Sequence, residues 1–173
     1  STDLSDGFSV LIPTWNNLAY LQKCIASIRS YSTFNHQIIL HINDGSDGTL
    51  NFAKAQGLEF THSPDNLGIC KAMNMAGRLA QKRYVIYFND DMVALPQWDL
   101  ELFLFCRRFS ITADSWISAT MIEGFGHNDC CLADNDHFNY GRTIETFQEQ
   151  KLLADLEELR TLKPDMQGST WRP

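Results

Sequence analysis

A chain of 173 residues with 44% hydrophobic and 12% aromatic residues can close one domain around a substantial core and is no disordered tail. Its net charge of -7 argues against a binder of nucleic-acid backbones, which needs a clustered basic face. The five cysteines contain no CxxC pair, so neither a disulfide framework nor a zinc ribbon is expected. Reduced thiols in a cytoplasmic protein fit better, and any membrane association would come through other regions or partners. No apolar run approaches the roughly 20 residues needed to span a bilayer.

In chain order, "FSVLIP" (Phe8 to Pro13) is a short apolar run closed by Pro, a strand. "NNLAYLQKCIASIRSY" then places Leu18, Leu21, Cys24, Ile25 and Ile28 at helical spacing behind an Asn cap. "QIILHIND" and "GSDGTLNFAKAQ" repeat the pattern, with Asp44 and Gly45 at the strand end and Asp47 as the expected N-cap. "LEFTHS" reads as a third strand, "LGICKAMNMAGRLAQ" as a third helix and "RYVIYFN" as a fourth strand. Strands alternating with helices predict parallel βαβ units with right-handed crossovers.

Beyond Pro96, "QWDLELFLFCRRF" is predicted to be a helix, "WISATMIE" a strand and "GFGHNDCCLADNDHFNYG" a polar loop. "IETFQEQKLLADLEELRTL" predicts an amphipathic helix with Phe147, Leu152, Leu156 and Leu159 on one side and its acids in solvent. There is no internal repeat and no linker, so residues 1–173 are expected to form a single domain.

In open parallel sheets, ligands bind beyond the carboxyl ends of the strands. Here those ends read "PTWNN", "NDGSDG", "SPDNLG" and "NDDM". Asn, Asp, Gly and Ser are also ordinary turn and cap residues, so no one of these stretches is diagnostic alone. The pair Asp90 and Asp91 is different, because a cap does not require two adjacent acids at the end of an apolar run. Like charges side by side are costly unless a cation joins them. Mg²⁺ typically takes one or two carboxylates, several waters and phosphate oxygens, which makes this pair a candidate metal site.

"SVLIPTWNN", "LHINDGSDGT", "DNLGICKAMNMAG" and "YVIYFNDDM", in order and evenly spaced from Phe8 to about Trp98, resemble the nucleotide-binding half of family 2 glycosyltransferases. "SATMIEGFG" and "GSTWRP" fit more loosely. The resemblance implies an α/β, Rossmann-like GT-A fold, a mostly parallel sheet flanked by helices. It implies metal-assisted transfer of a sugar, with inversion, from a nucleoside-diphosphate sugar, most commonly a UDP-sugar. The acceptor would be a saccharide, lipid or protein, as in polysaccharide biosynthesis. By position, Pro13, Thr14 and Asn16 would line the nucleoside pocket, and Asp44 would accept a hydrogen bond from the base. Asn66, Gly68, Lys71 and Asn74 would pass under the ribose and diphosphate. Mn²⁺ or Mg²⁺ would rest on Asp91 with Asn89, and Asp90 would lie near the ribose or sugar.

The sequence departs from the family pattern at Asn43, Met73 and Asn89, where the family usually has Asp, Arg and Asp. At Asn43 little is lost, because the resemblance gives the base contact to Asp44. Met73 and Asn89, with a C-terminal portion expected to be missing, give weight to an alternative, a non-catalytic nucleotide-binding or scaffold module of the same fold. The general base is not identified: the resemblance places it near or beyond Pro173, so the chain is expected to be cut short at its C-terminus. A sugar-nucleotide pyrophosphorylase would need a Gly-rich, basic loop after the first strand, and "PTWNN" has neither glycine nor charge. A second Asp-x-Asp at Asp134 to Asp136, with His127, Asp129 and His137 nearby, reads as a solvated turn, and Cys130 and Cys131 lack metal-ligand spacing. His36, His41 and His62 are expected to be structural, Trp98 and Trp116 to anchor the core, and Trp171 to border a sugar site.

Overall fold

The computed structural model describes residues 7–109, 115–117, 119, 139–162 and 170–171. Its contacts divide the chain into two compact units, Ser1–Leu100 and Glu101–Pro173.

In the first unit, β1 (Ser9–Trp15), β2 (Gln37–Asn43), β3 (Glu59–Ser63) and β4 (Val85–Tyr87) form one sheet in the order β3-β2-β1-β4. Every pairing is parallel. β1 and β2 are central, which is why "SVLI" and "IILHI" are near-continuous apolar runs and not alternating ones. Val10, Ile12, Ile39, Leu40 and Ile42 are fully buried. Each such side chain contributes about 1.5–3 kcal/mol relative to exposure.

Between the strands lie α1 (Leu18–Tyr31), α2 (Thr49–Ala55) and α3 (Ile69–Gly77). α1 buries Leu21, Cys24, Ile25 and Ile28 of the predicted stripe, together with Ser27, while Leu18 at its start is half-buried. α3 packs on β1 and β2 through Ala72 and Ala76, and Leu11, Ile39 and Ala76 form a core cluster joined by Met73, Leu79 and Ala80. The small alanines let this helix lie close to the sheet. Met73 is thereby accounted for as packing.

β4 is shorter than the sequence predicts, three residues with Val85 and Tyr87 exposed. It pairs with β1 only from Ser9 to Leu11. Phe88 N–H donates to the Leu11 carbonyl at 3.0 Å, after which the chain leaves the sheet.

The expected structural histidines are satisfied. His36 Nδ1 accepts from Phe8 N–H at 3.0 Å, and its Nε2 lies 3.1 Å from the buried Asp99 carboxylate. Asp99 Oδ2 also accepts from Thr33 and Phe34 N–H. His41 bonds Thr61 and Ser63, and His62 donates from Nε2 to the Asp44 carbonyl at 2.9 Å. Trp98 packs against Phe8, His36 and Phe88, as an anchor should.

α4 (Trp98–Arg108) runs from the first unit into the second. The second unit contains β5 (Trp116–Ile117), antiparallel to β6 (Thr170–Trp171), and α5 (Glu149–Leu162). α5 buries Leu152 and Leu159, but begins after Phe147, later than predicted. The reason is local: Thr146 Oγ1 accepts from Arg142 and Thr143 N–H and holds residues 143–146 in a turn. Gly141 makes that turn possible at φ 98°, because a Cβ there would meet the Thr146 carbonyl. Asp155, assigned to solvent from the sequence, accepts instead from Tyr140 Oη at 3.2 Å. Residues 118 and 120–123 of "WISATMIE", the second Asp-x-Asp with its neighbouring His127, Asp129 and His137, Cys130 and Cys131, and the Trp116 and Trp171 side chains lie outside the described residues.

Candidate functional site

In this strand order the chain steps outward from β1 to β3 and then returns to the other side of β1 for β4. The reversal leaves a crevice at the carboxyl ends of β1 and β4. A cleft of about 400 Å³ occupies that place. Pro13, Thr14, Trp15, Asn16 and Asn17 line it from β1, and Tyr87, Asn89 and Asp90 from β4, with Asn43, Asn66, Gly68 and Ile69 completing the wall.

Of the expected site residues, Pro13, Thr14, Asn16, Asn66, Gly68, Asn89 and Asp90 line this cleft. Asp44 stands behind Asn16, joined to it directly. Lys71 and Asn74 share the exposed side of α3, and Asp91 is exposed beside Asp90; none of the three lines the cleft wall itself.

The loops after β1 and β2 are laced together. Asn16 Nδ2 donates to Asp44 Oδ2 at 2.8 Å and to Ser46 Oγ at 3.3 Å, while Asn16 Oδ1 accepts from Gly45 N–H at 3.0 Å. Ser46 N–H donates to Asp44 Oδ1 at 3.2 Å. Asn16 and Asp44 both have positive φ, 48° and 61°, which Asn and Asp tolerate better than other side chains. The hydrogen bonds from Asn16 and Ser46 hold the Asp44 carboxyl below its ordinary range. Its charge therefore persists at every pH above the ordinary carboxylate value and is lost only as pH falls through the lowered one.

Asp47 ties the same loops a second time. One oxygen accepts from Leu18 N–H at 2.8 Å and the other from Thr49 N–H at 3.0 Å. The sequence assigned the α1 cap to an Asn and the α2 cap to Asp47, but no Asn17 side-chain bond caps α1 and Gly48 takes the α2 N-cap position. Asp47, one residue earlier, accepts from the first residue of each helix. Burial opposes its charge, and the hydrogen bonds from Thr49 and Leu18 together outweigh that and lower its pKa.

Asn43, where the family usually carries an acid, is buried at 4% exposure. Its Oδ1 accepts from Leu67 N–H at 2.9 Å and from Ser63 Oγ at 3.2 Å, and its Nδ2 points to the Thr14 carbonyl at 3.5 Å. A carboxylate would lose that donor. Asn66 Oδ1 accepts from Gly68 N–H at 2.9 Å and shapes the entry to α3, where Gly68 takes φ 75°.

Asp90 is half-buried, and burial pushes its carboxyl above the ordinary value of 3.8, with the neighbouring Asp91 charge adding to the rise. Thr14 and Asn17 oppose that by favouring the ionised form. The Thr14 hydroxyl is buried without a partner of full hydrogen-bond geometry, close enough to Asp90 to help but free to accept a better one. Between 3.8 and the raised value the folded chain binds more protons than the unfolded one, so this group's contribution to stability falls as pH rises through that window. Asp90→Asn is therefore expected to stabilise the ligand-free chain at neutral pH, by under about 1 kcal/mol for a half-exposed group, with the gain vanishing below about pH 4. Thermal melts across pH check this.

The residues suit a hard cation. Asp90 and Asp91 present adjacent carboxylates, and the Asn89 side-chain oxygen, which accepts from Tyr87 Oη, keeps a second lone pair. Among the described residues no group of three His, Cys, Asp or Glu side chains gathers that could hold a metal unaided. The arrangement matches a cation completed by phosphate oxygens and water, not a closed protein cage.

Sequence reasoning missed Trp15 and Ile69, which line the cleft while 58% and 59% exposed. An exposed Trp directly before a polar loop was the available signal. A further cavity of about 340 Å³ lies at the opposite ends of β2 and β3. Among its polar residues, Arg29 is paired with Gln56, Gln37 with Glu59 and His36 with Asp99.

The model of the family described as "Glycosyl transferase family 2" matches residues 9–127. The chain belongs to glycosyl transferase family 2. Its sheet and flanking helices are the GT-A fold. Among solved structures, residues 1–349 of TarS from S. aureus superpose with a TM-score of 0.59 at 18% identity, covering 70% of this chain and 37% of that one. The same TarS segment in complex with UDP-GlcNAc gives 0.57 at 18% identity, covering 70% and 36%. The mannosyltransferase PcManGT from Pyrobaculum calidifontis, in complex with GDP-Man and Mn²⁺, gives 0.54 at 16% identity, covering 67% and 35%. This family 2 chain thus covers little more than a third of the TarS segment and of PcManGT, and 23% of the longer TarS chain. No curated protein matches it. No helix among the described residues is long and apolar enough to cross a membrane.

Proposed function

We propose that this domain binds a nucleoside-diphosphate sugar in the cleft between β1 and β4, for metal-assisted transfer of the sugar to a saccharide, lipid or protein acceptor with inversion, as in polysaccharide biosynthesis. The observation that carries the reading is the convergence of four strand ends, "PTWNN", "NDGSDG", "SPDNLG" and "NDDM", on one crevice that holds the half-buried Asp90. The complexes of TarS with UDP-GlcNAc and of PcManGT with GDP-Man and Mn²⁺ support a donor of this class.

In this reading Asp44, held ionised by Asn16 and Ser46, accepts the ring N–H of the base. Trp15 offers an exposed aromatic face, and stacking of a base on such a face is worth about 1–3 kcal/mol. Gly68 lets the chain approach the ribose and diphosphate closely, and Lys71 and Asn74 supply charge and donors from α3. Asp91, with Asn89, would hold Mn²⁺ or Mg²⁺, which when bound supplies charge neutralisation for the leaving diphosphate. Asp90 faces the ribose or sugar, oriented by Asn17 and Thr14.

A scaffold module that binds nucleotide without turnover is the second reading, favoured by the neutral Asn89 already engaged by Tyr87. Calorimetric titration with UDP, GDP and dTDP, with and without Mn²⁺, tests the donor site. Micromolar to millimolar binding tightened by Mn²⁺ is expected, and no nucleotide binding would leave only a scaffold. Donor hydrolysis or transfer then separates enzyme from binding module.

A further inference from the structure

The segment from Phe88 to Trp98 leaves the sheet after β4 and runs along α1, bonded to it in four places. Cys24 Sγ donates to the Asn89 carbonyl at 3.5 Å, and Ala94 N–H donates to Ser27 Oγ at 2.9 Å. Gln97 N–H donates to the Tyr31 carbonyl at 3.2 Å, and Trp98 Nε1 to Ser32 Oγ at 3.0 Å. Positions 24, 27 and 31 fall on one face of a helix, with 32 continuing it past the last turn.

The first two bonds bracket the acidic pair. Met92 N–H donates to the Asn89 carbonyl at 3.3 Å, which makes Asp90 and Asp91 the central residues of a turn. Cys24 holds the first residue of that turn, and Ser27 holds the chain two residues past its last. Ser27 is itself fixed, because its hydroxyl donates to the Cys24 carbonyl at 2.7 Å while accepting from Ala94. Ser27 and Ala94 are each 3% exposed, so no bulk water replaces the bond if the hydroxyl is lost. Nothing else in the α1 stripe of Leu21, Ile25 and Ile28 is polar.

We propose that Ser27, with Cys24, is a positioning residue for the Asp90–Asp91 turn, fixing from behind the carboxylates that meet the sugar or ribose and the metal. The inference rests on the donor site proposed above. Neither side chain lines the cleft; each acts through the backbone of the turn. The bond at Ser27 is the stronger one, since a thiol is a weak donor and burial keeps the Cys24 thiol protonated. Losing the Ser27 bond frees Ala94 to seek another acceptor and lets the turn shift, while the Asn16, Asp44 and Asp47 lacing under the base stays in place.

The test is the ratio of UDP affinities with and without Mn²⁺ for wild type and Ser27→Ala, with uridine as the probe of the base end. A wild-type chain that binds no UDP overturns the donor-site reading itself. With wild-type binding established, Ser27→Ala is expected to lower the Mn²⁺-dependent gain about tenfold, the low end for residues that orient metal ligands, with uridine affinity unchanged. Ser27→Thr, which keeps the hydroxyl, is expected to retain most of the gain. Should Ser27→Ala fail to fold, Cys24→Ala, which frees the other side of the turn, is expected to show the same pattern more weakly. An unchanged Mn²⁺ gain, or an equal loss for uridine and UDP, overturns the positioning role.

Discussion

Asp91→Ala is expected to abolish the metal-dependent part of nucleoside-diphosphate binding, a loss of about a hundredfold, while leaving metal-free binding of the nucleoside intact. Asp91 sits in a turn between Asp90 and Met92, exposed, and no backbone group of the fold depends on its side chain for a described bond. Removing it also relieves repulsion on Asp90, whose carboxyl is already pushed up by burial and by this neighbour. The variant should therefore melt at or above the wild-type temperature. UDP titrations in Mn²⁺, set beside thermal melts, check both halves; equal affinity for wild type and variant would remove Asp91 from the metal site.

Asp44→Asn is expected to weaken uridine about ten- to hundredfold with or without metal, because its proposed partner is the base. The structure adds a second cause. The Asp44 carboxylate accepts from both Asn16 Nδ2 and Ser46 N–H, and an amide can accept on one side only. Whichever way Asn turns, one donor faces an NH₂ group and the link between the β1 and β2 loops loosens. Titration with uridine alone isolates this end of the cleft. Identical affinities would reduce Asp44 to a loop residue with no ligand.

The sheet was legible because its central strands are uninterrupted apolar runs between turn residues, a signal that survives without partners. β4 was over-extended in the reading: "RYVIYFN" is apolar and aromatic from Tyr84 to Phe88, but only three residues pair, and Phe88 leaves the sheet. Such a departure is set by where α1 offers bonding partners, which local patterning does not encode. The late start of α5 has a similar origin in the Thr146 turn.

The strand-end residues of the site were legible as a set, and the strand order brings most of them to one cleft. Their division of labour was not. Asn43 looks like a diluted acidic motif in sequence and is a buried hub in three dimensions. Asp47 looks like a cap for one helix and serves two, since Leu18 is 29 positions away in the chain. Cys24 reads as part of an amphipathic stripe and Ser27 carries no signal in the sequence; only the path of the Phe88 to Trp98 segment shows what they hold.

The central claim is that the crevice between β1 and β4 takes a metal-bound nucleoside diphosphate. Amide NMR spectra recorded with Mg²⁺–UDP and then with paramagnetic Mn²⁺–UDP test it directly. The account predicts shifts at Trp15, Asn16, Asp44 and Gly68 in both, and Mn²⁺ broadening strongest at Asn89, Asp90, Asp91 and Met92. Broadening centred instead on Arg29, His36 and Glu59, around the cavity at the other ends of β2 and β3, or spread evenly over surface carboxylates, would contradict it.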